Sequence, residues 1–237
     1  MKKILFTLLV LAATMSMNAQ MVEIYDGDQL VSRHRVPNGG KVVFEKAPNL
    51  GTTGSATRDG EIEVNWVQLW EGGPRFAEYN VGAANNRTED YGGYYCFGMT
   101  IDKDSNGSYY NGKRTLAGDD DTATNLWGDN WRMPTKEELE ALLNNEKCTS
   151  VWTTQNGVYG WLCTGKDGTT YAANSVFLPA AGYYCVNVFS KEDYGSYWSS
   201  TLGGSDEAFC LYFGSFSQSM FNLSRNFGCS VRPVLNE

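Results

Sequence analysis

One helix start is spelled out in this chain, and the segments around it leave little room for others. Thr135 and Glu138 follow Pro134 at the spacing of a capping box, where each side chain satisfies the other's exposed backbone N–H. Leu139, Leu142 and Leu143 then recur at helical spacing and form one apolar stripe. A second short helix is expected over residues 119–126, whose acidic start suits the positive end of the helix dipole. Elsewhere the apolar runs are short and broken by turn residues: 64–70, 152–154, 160–164, 175–179 and 197–234. Aromatics make up 14% of the chain and Gly occurs 26 times, a composition of short strands and turns. Two short helices amid antiparallel strands imply an α+β domain.

The first residues read as a processing signal. Lys2 and Lys3 precede an apolar stretch over residues 4–13, too short to span a bilayer as a helix, and Met17-Asn18-Ala19 offers a cleavage site. Residues 1–20 are therefore expected to be a signal peptide. The protein is then exported: periplasmic, secreted or held at the cell surface. No Cys lies near the cleavage site to carry a lipid, and no later run is long and apolar enough to be a transmembrane segment. The formal net charge is −8, and losing Lys2 and Lys3 makes it more negative still. Such a chain repels nucleic acid and anionic lipid, so neither is expected as a partner.

Residues 21–46 read as a small β element. Its first two strands, 22–25 and 29–31, flank Asp26-Gly27-Asp28, and Lys41-Val42-Val43-Phe44 suggests a third. Residues 47–60 are rich in Gly, Thr, Ser, Asn and Pro and read as a linker, which leaves 61–237 as the main domain. Cys96, Cys148, Cys163, Cys185, Cys210 and Cys229 are an even set, but their spacing is not a dense framework. Thiols that are mostly free, or partly paired, are the expectation.

Catalytic chemistry has few footholds. The only histidine, His34, lies in the N-terminal element, so the main domain has no Ser-His or Cys-His pair and no His-containing zinc site. Asp102-Lys103-Asp104-Ser105-Asn106-Gly107 opens like a calcium loop, but Lys113 stands where the bidentate Glu belongs, so a polar turn is expected. Asp119-Asp120-Asp121 reads as a helix N-terminus. No catalytic residue, metal ligand or cofactor is assigned.

Several stretches resemble a known family. They are Ala77-Glu78-Tyr79-Asn80-Val81-Gly82-Ala83, Asp90-Tyr91-Gly92-Gly93-Tyr94-Tyr95-Cys96-Phe97-Gly98, and Trp127-Gly128-Asp129-Asn130-Trp131-Arg132-Met133-Pro134-Thr135. Tyr197-Trp198-Ser199-Ser200-Thr201 and Gly228-Cys229-Ser230-Val231-Arg232-Pro233-Val234 complete the set. Together they resemble the Fibrobacter succinogenes major paralogous domain family of secreted Bacteroidetes proteins, over about residues 61–235. That resemblance implies a C-type-lectin-like fold, related to the sulfatase-modifying-factor or formylglycine-generating domain, with its terminal strands close together. It makes Trp127, Trp131, Trp198, Arg132 and Arg232 fold markers engaged in packing and hydrogen bonding. The formylglycine-generating branch uses a closely spaced cysteine pair, whereas Cys210 and Cys229 are far apart in sequence. The Glu-Pro-Asn and Gln-Pro-Asp tripeptides of calcium-dependent sugar binders do not occur.

Against that family's frame, Ala208, Leu211, Phe213, Met220, Arg225, Gly228 and Ser230 match framework positions. The interleaved positions are Cys210, Tyr212, Gly214, Phe216, Ser217, Ser219, Phe221, Asn222, Leu223, Ser224, Asn226, Phe227 and Cys229. Without the two cysteines they form the expected ligand-binding face, mixing rigid aromatics with adaptable small polar groups as paratopes do. Related C-type-lectin-like proteins are diversified by retroelements that mutate adenines in Asn-type codons, which cannot yield Lys, Glu, Gln, Met or Trp. Every interleaved position obeys that restriction. The expected function is a non-catalytic binding module for a protein or glycan ligand. The alternatives are a structural or adhesive subunit docking through an N-terminal strand edge, and last an enzyme of the formylglycine-generating kind.

Overall fold

The computed structural model describes residues 19–26 and 29–37 as backbone, and residues 51–100, 121–185 and 187–236 in full. The signal segment up to residue 18, the strand expected at 41–44, the calcium-like turn at 102–107, and Asp119 and Asp120 lie outside the described residues. The chain divides into two compact units, Met1–Pro48 and Asn49–Glu237.

The first unit contains an antiparallel hairpin of β1 (Ala19–Asp26) and β2 (Gln29–Pro37). Both strands run longer than the segments read from sequence, and a bulge falls between Ile24 and Tyr25.

The second unit is mostly antiparallel sheet with two short helices. Its five-stranded sheet has the order β3 (Thr53–Arg58), β4 (Ile62–Gln68), β5 (Arg75–Ala77), β15 (Val234–Leu235), β6 (Trp131–Arg132). Val234 at the end of the chain lies opposite both Phe76 and Arg132, so the last strand sits between early ones. Strand β3 corrects the reading of residues 47–60 as a linker. Thr53–Arg58 pairs residue for residue with β4, Gly54 opposite Trp66 and Ala56 opposite Val64. The segment is small and polar, so nothing in its composition reveals that β4 needs a partner for its outer backbone groups.

Two further three-stranded sheets follow. One joins β7 (Cys148–Gln155), β8 (Val158–Gly165) and β9 (Ser175–Pro179). Its first hairpin turns on Asn156 and Gly157, with φ of 51° and 84°, the doubly positive pair that a two-residue turn demands. The other is a meander of β12 (Tyr194–Leu202), β13 (Glu207–Gly214) and β14 (Gln218–Ser224). A short hairpin, β10 (Tyr183–Cys185) with β11 (Asn187–Phe189), stands apart from both.

The helices form where their caps dictate. Helix α1 (Thr122–Trp127) begins after Asp121, whose carboxylate accepts from Ala123 N at 2.9 Å and Thr124 N at 3.0 Å. Helix α2 (Lys136–Glu140) has the expected box: Thr135 N donates to Glu138 at 2.8 Å and Glu138 N to Thr135 Oγ1 at 3.2 Å. A 3-10 turn (Ala141–Leu143) extends it, burying Leu139 and Leu142 while Leu143 is half-buried. Arg132 grips the same Glu138 carboxylate at 2.6 and 2.7 Å.

The core has two clusters. One gathers Trp66, Tyr79, Trp127, Trp131 and Trp198; the other gathers Leu69, Phe76, Leu139, Trp161, Tyr197 and Phe213. Two of the tryptophans have their polar tips satisfied: Trp131 Nε1 donates to Thr57 O at 3.0 Å and Trp198 Nε1 to Tyr95 O at 2.8 Å. Among the described residues, no helix is long and apolar enough to cross a membrane.

Candidate ligand-binding site

The register of the meander sorts the sequence-selected residues between two faces. Cys210 lies opposite Trp198 and Phe221, Tyr212 opposite Ser196 and Ser219, and Gly214 opposite Tyr194. Because side chains alternate along a strand, Tyr194, Ser196, Cys210, Tyr212, Ser219, Phe221 and Leu223 share one face. Tyr197, Leu211, Phe213 and Met220 share the other, where they meet Leu139 of α2, while the Lys136 ammonium sits 4.6 Å from the Phe209 ring centre. That second face is sealed, and on the first Trp198, Ala208 and Cys210 are buried in the other core cluster, so its open part lies around Tyr212, Ser219 and Phe221.

Hairpin β10–β11 stands over the available face. Gly182 turns the chain into it with a φ of 71°, and Gly182 N donates to Tyr194 O at 2.7 Å. Tyr184 and Gly228 exchange backbone bonds of 2.7 and 2.8 Å, tying the hairpin to the chain beyond β14. Tyr183 stacks on Phe189 at 5.8 Å and meets Phe227 edge-on at 5.7 Å, while Tyr194 stacks on Tyr212 at 5.1 Å. Between hairpin and sheet lies a pocket of about 380 Å³, lined by Tyr183, Ser190, Ser196, Cys210, Tyr212, Phe221 and Leu223.

The structure distributes the residues of the expected face among several places. Tyr212, Phe221 and Leu223 line the pocket, and Phe227 backs Tyr183. Phe216 at the β13–β14 turn is 100% exposed and Phe221 is 55% exposed, both extreme for phenylalanine. Ser217 and Ser219 are exposed at the same turn end of β14, and Asn226 is exposed beyond its other end. Asn222 and Ser224 project to the opposite face. Asn222 packs there on Gly203, where an added Cβ would fall 2.2 Å from its Oδ1. Gly214 is buried beneath the Tyr194 ring, 2.5 Å from any Cβ placed there, so it serves packing and not contact. Cys229 is buried, and Cys210 reaches the pocket only as its floor.

Sequence reading missed Tyr183, Ser190, Tyr194 and Ser196. Residues 183–189 are a run of aromatic and β-branched residues broken only by Cys185 and Asn187, which could have been read as strand, but nothing local says which sheet it covers.

The pocket lining carries no formal charge. Two charged side chains that follow Ser190 are engaged elsewhere: Lys191 Nζ sits 4.2 Å from the Tyr91 ring centre, and Glu192 accepts from Tyr91 OH at 3.4 Å. Burial, with the adjacent Tyr194, pushes the Tyr212 phenol up to about 12. It therefore stays neutral and can donate or accept a hydrogen bond. Behind the floor, the thiols of Cys210 and Cys229 hydrogen-bond to each other, and burial raises Cys229 well above an ordinary thiol. A buried thiol raised in this way, as Cys229 is, is a poor nucleophile. What this arrangement can do is enclose an apolar group and meet it with a few hydroxyls. Among the described residues, no group of three or more His, Cys, Asp or Glu is placed to hold a metal ion.

No family model, no curated protein and no solved structure matches the chain.

Proposed function

We propose that this chain is an exported, non-catalytic binding module of C-type-lectin-like fold, presenting the pocket between β10–β11 and the β12–β14 meander to a protein or glycan ligand. The observation that carries the reading is Phe221, 55% exposed and lining a concave, uncharged pocket, with the 46%-exposed Phe189 stacked on the pocket residue Tyr183 and the fully exposed Phe216 on the β13–β14 turn. Apolar rings left in water beside a cavity mark interaction surfaces. The motif residues quoted for the Fibrobacter succinogenes major domain family support the fold reading, as does the last strand lying between early ones. If a retroelement diversifies this face, the exposed Phe216, Ser217, Ser219, Phe221 and Asn226 are the positions it can change without disturbing the core. A template repeat and reverse-transcriptase gene beside the coding sequence are the sign to seek.

The test is a screen of the full mature chain on glycan and host-protein arrays beside a Phe216→Ala/Phe221→Ala variant. These two rings are exposed, so the variant keeps its fold. Binding by the parent, reduced about tenfold or more in the variant, is the expected result for two rim aromatics. Equal binding by both proteins refutes the site.

The separate N-terminal unit favours a second reading, a structural or adhesive subunit docking through the β1–β2 hairpin. Deleting residues 21–48 discriminates: ligand binding survives and assembly is lost.

A further inference from the structure

The two outer edges of the meander differ. The β12 edge is engaged: Gly182 N donates to Tyr194 O at 2.7 Å, Trp198 N to Ser230 O at 3.0 Å, and Ser230 N to Ser196 O at 3.0 Å. The β14 edge is the end of its sheet, and among the described residues no strand pairs with its outer side. Its backbone groups can be assigned. Gly214 N donates to Ser217 O at 2.8 Å at one end of the β13–β14 ladder, and Arg225 N to Asp206 O at 2.9 Å at the other. Bonded and non-bonded pairs alternate in such a ladder. Both ends therefore put Ser219, Phe221 and Leu223 in bonded pairs with β13, and aim the N–H and C=O of Met220 and Asn222 outward.

Open edges are usually guarded by charge, proline or a bulge. β14 reads Gln-Ser-Met-Phe-Asn-Leu-Ser, with none of the residues that guard an edge, and its register with β13 runs without a bulge. The exposed Phe221 stands at the middle of this edge and also lines the pocket.

We propose that β14 receives an extended segment of a partner protein by strand addition, and that an apolar side chain of the segment enters the pocket beside Phe221. Outward donors and acceptors repeating every second residue are matched by another extended backbone. The uncharged lining suits a branched or aromatic side chain. This rests on the binding-module reading and narrows its ligand to a protein.

The test uses the full mature chain against a phage-displayed library of random dodecapeptides, with a glycan array in parallel. Asn222→Pro removes one outward N–H and leaves the β13 ladder intact, because proline is tolerated where the N–H faces away. Val151→Thr, on the exposed side of β7, is the control. Selected peptides are expected to carry an apolar residue and to bind Asn222→Pro about tenfold more weakly, the cost of a lost hydrogen bond and its neighbour's misfit. N-methylating alternate peptide amides gives a readout that needs no folded variant: one phase abolishes binding and the other spares it. Peptides indifferent to both changes overturn strand addition and leave the module standing. Glycan binding without peptide binding does the same. Self-association in ultracentrifugation that Asn222→Pro abolishes reassigns the edge to a second copy. Binding to neither library refutes the module itself.

Discussion

Arg232 shows how much one side chain can organise. It is 1% exposed, with Nε on Asn80 Oδ1 at 2.7 Å and its terminal nitrogens on Ala77 O, Glu78 O and Phe177 O at 3.1, 2.9 and 3.0 Å. Asn80 in turn donates to Tyr91 O at 2.8 Å and Tyr197 OH at 3.0 Å, and Tyr197 OH donates to Pro179 O at 2.8 Å. Burial lowers the Arg232 pKa to about 10, which still leaves it charged at neutral pH. Arg232→Met strands several buried acceptors, each costing about 1–3 kcal/mol. The expected loss exceeds about 3 kcal/mol, a large share of a domain's stability, and the urea midpoint will report it. Sequence pointed to Arg232 as a structural donor. Its acceptors lie in two segments far from it in sequence, residues 77–80 and Phe177, and only the fold brings them into reach.

At the scale of elements, the helices and the Asn-Gly hairpin follow from local chemistry, whereas the loop over residues 83–90 is held from a distance. Asp90 accepts from Asn85 N at 2.7 Å and Arg87 N at 3.2 Å, and Glu89 accepts from Asn156 Nδ2 at 3.0 Å across to the β7–β8 turn. The Asn156 hydrogen bond holds Glu89 below its ordinary 4.5, despite burial. For Asp90 burial works upward, but the hydrogen bonds from Asn85 and Arg87 outweigh it and keep the carboxyl below 3.8. A carboxyl with a depressed folded pKa adds stability above its unfolded pKa and loses it as pH falls through the folded one. Thermal melts taken from about pH 6 to pH 3 should therefore fall steadily. Glu89→Gln should melt lower at neutral pH and lose less on acidification. A parallel decline in both proteins refutes the role of Glu89.

Across the molecule, the six cysteines lie free, with only Cys185 half-exposed. Cys148 and Cys163 hydrogen-bond on neighbouring strands, and burial pushes Cys163 well above an ordinary thiol. Thiol reagents need an accessible thiolate. A maleimide should mark Cys185 alone in the native protein and the other five once urea is added, as read by peptide mass. Thiols that remain unlabelled after unfolding would reveal closed disulfides.

The sequence by itself determined the helix caps, the α+β class, the tryptophans as packing residues and the absence of a domain histidine, because each depends on residue type or short spacing. It also singled out residues 208–230 as the segment of interest. The tertiary structure decided which of those residues share a face. Strand register places Tyr212, Phe221 and Leu223 on the open side and Asn222 and Ser224 on the other. It also supplied Tyr183, Ser190, Tyr194 and Ser196 as the opposite walls, and recruited Thr53–Arg58 as a strand. Pairing and coverage are set by where distant backbone groups find partners, and the local pattern of a chain does not encode that choice.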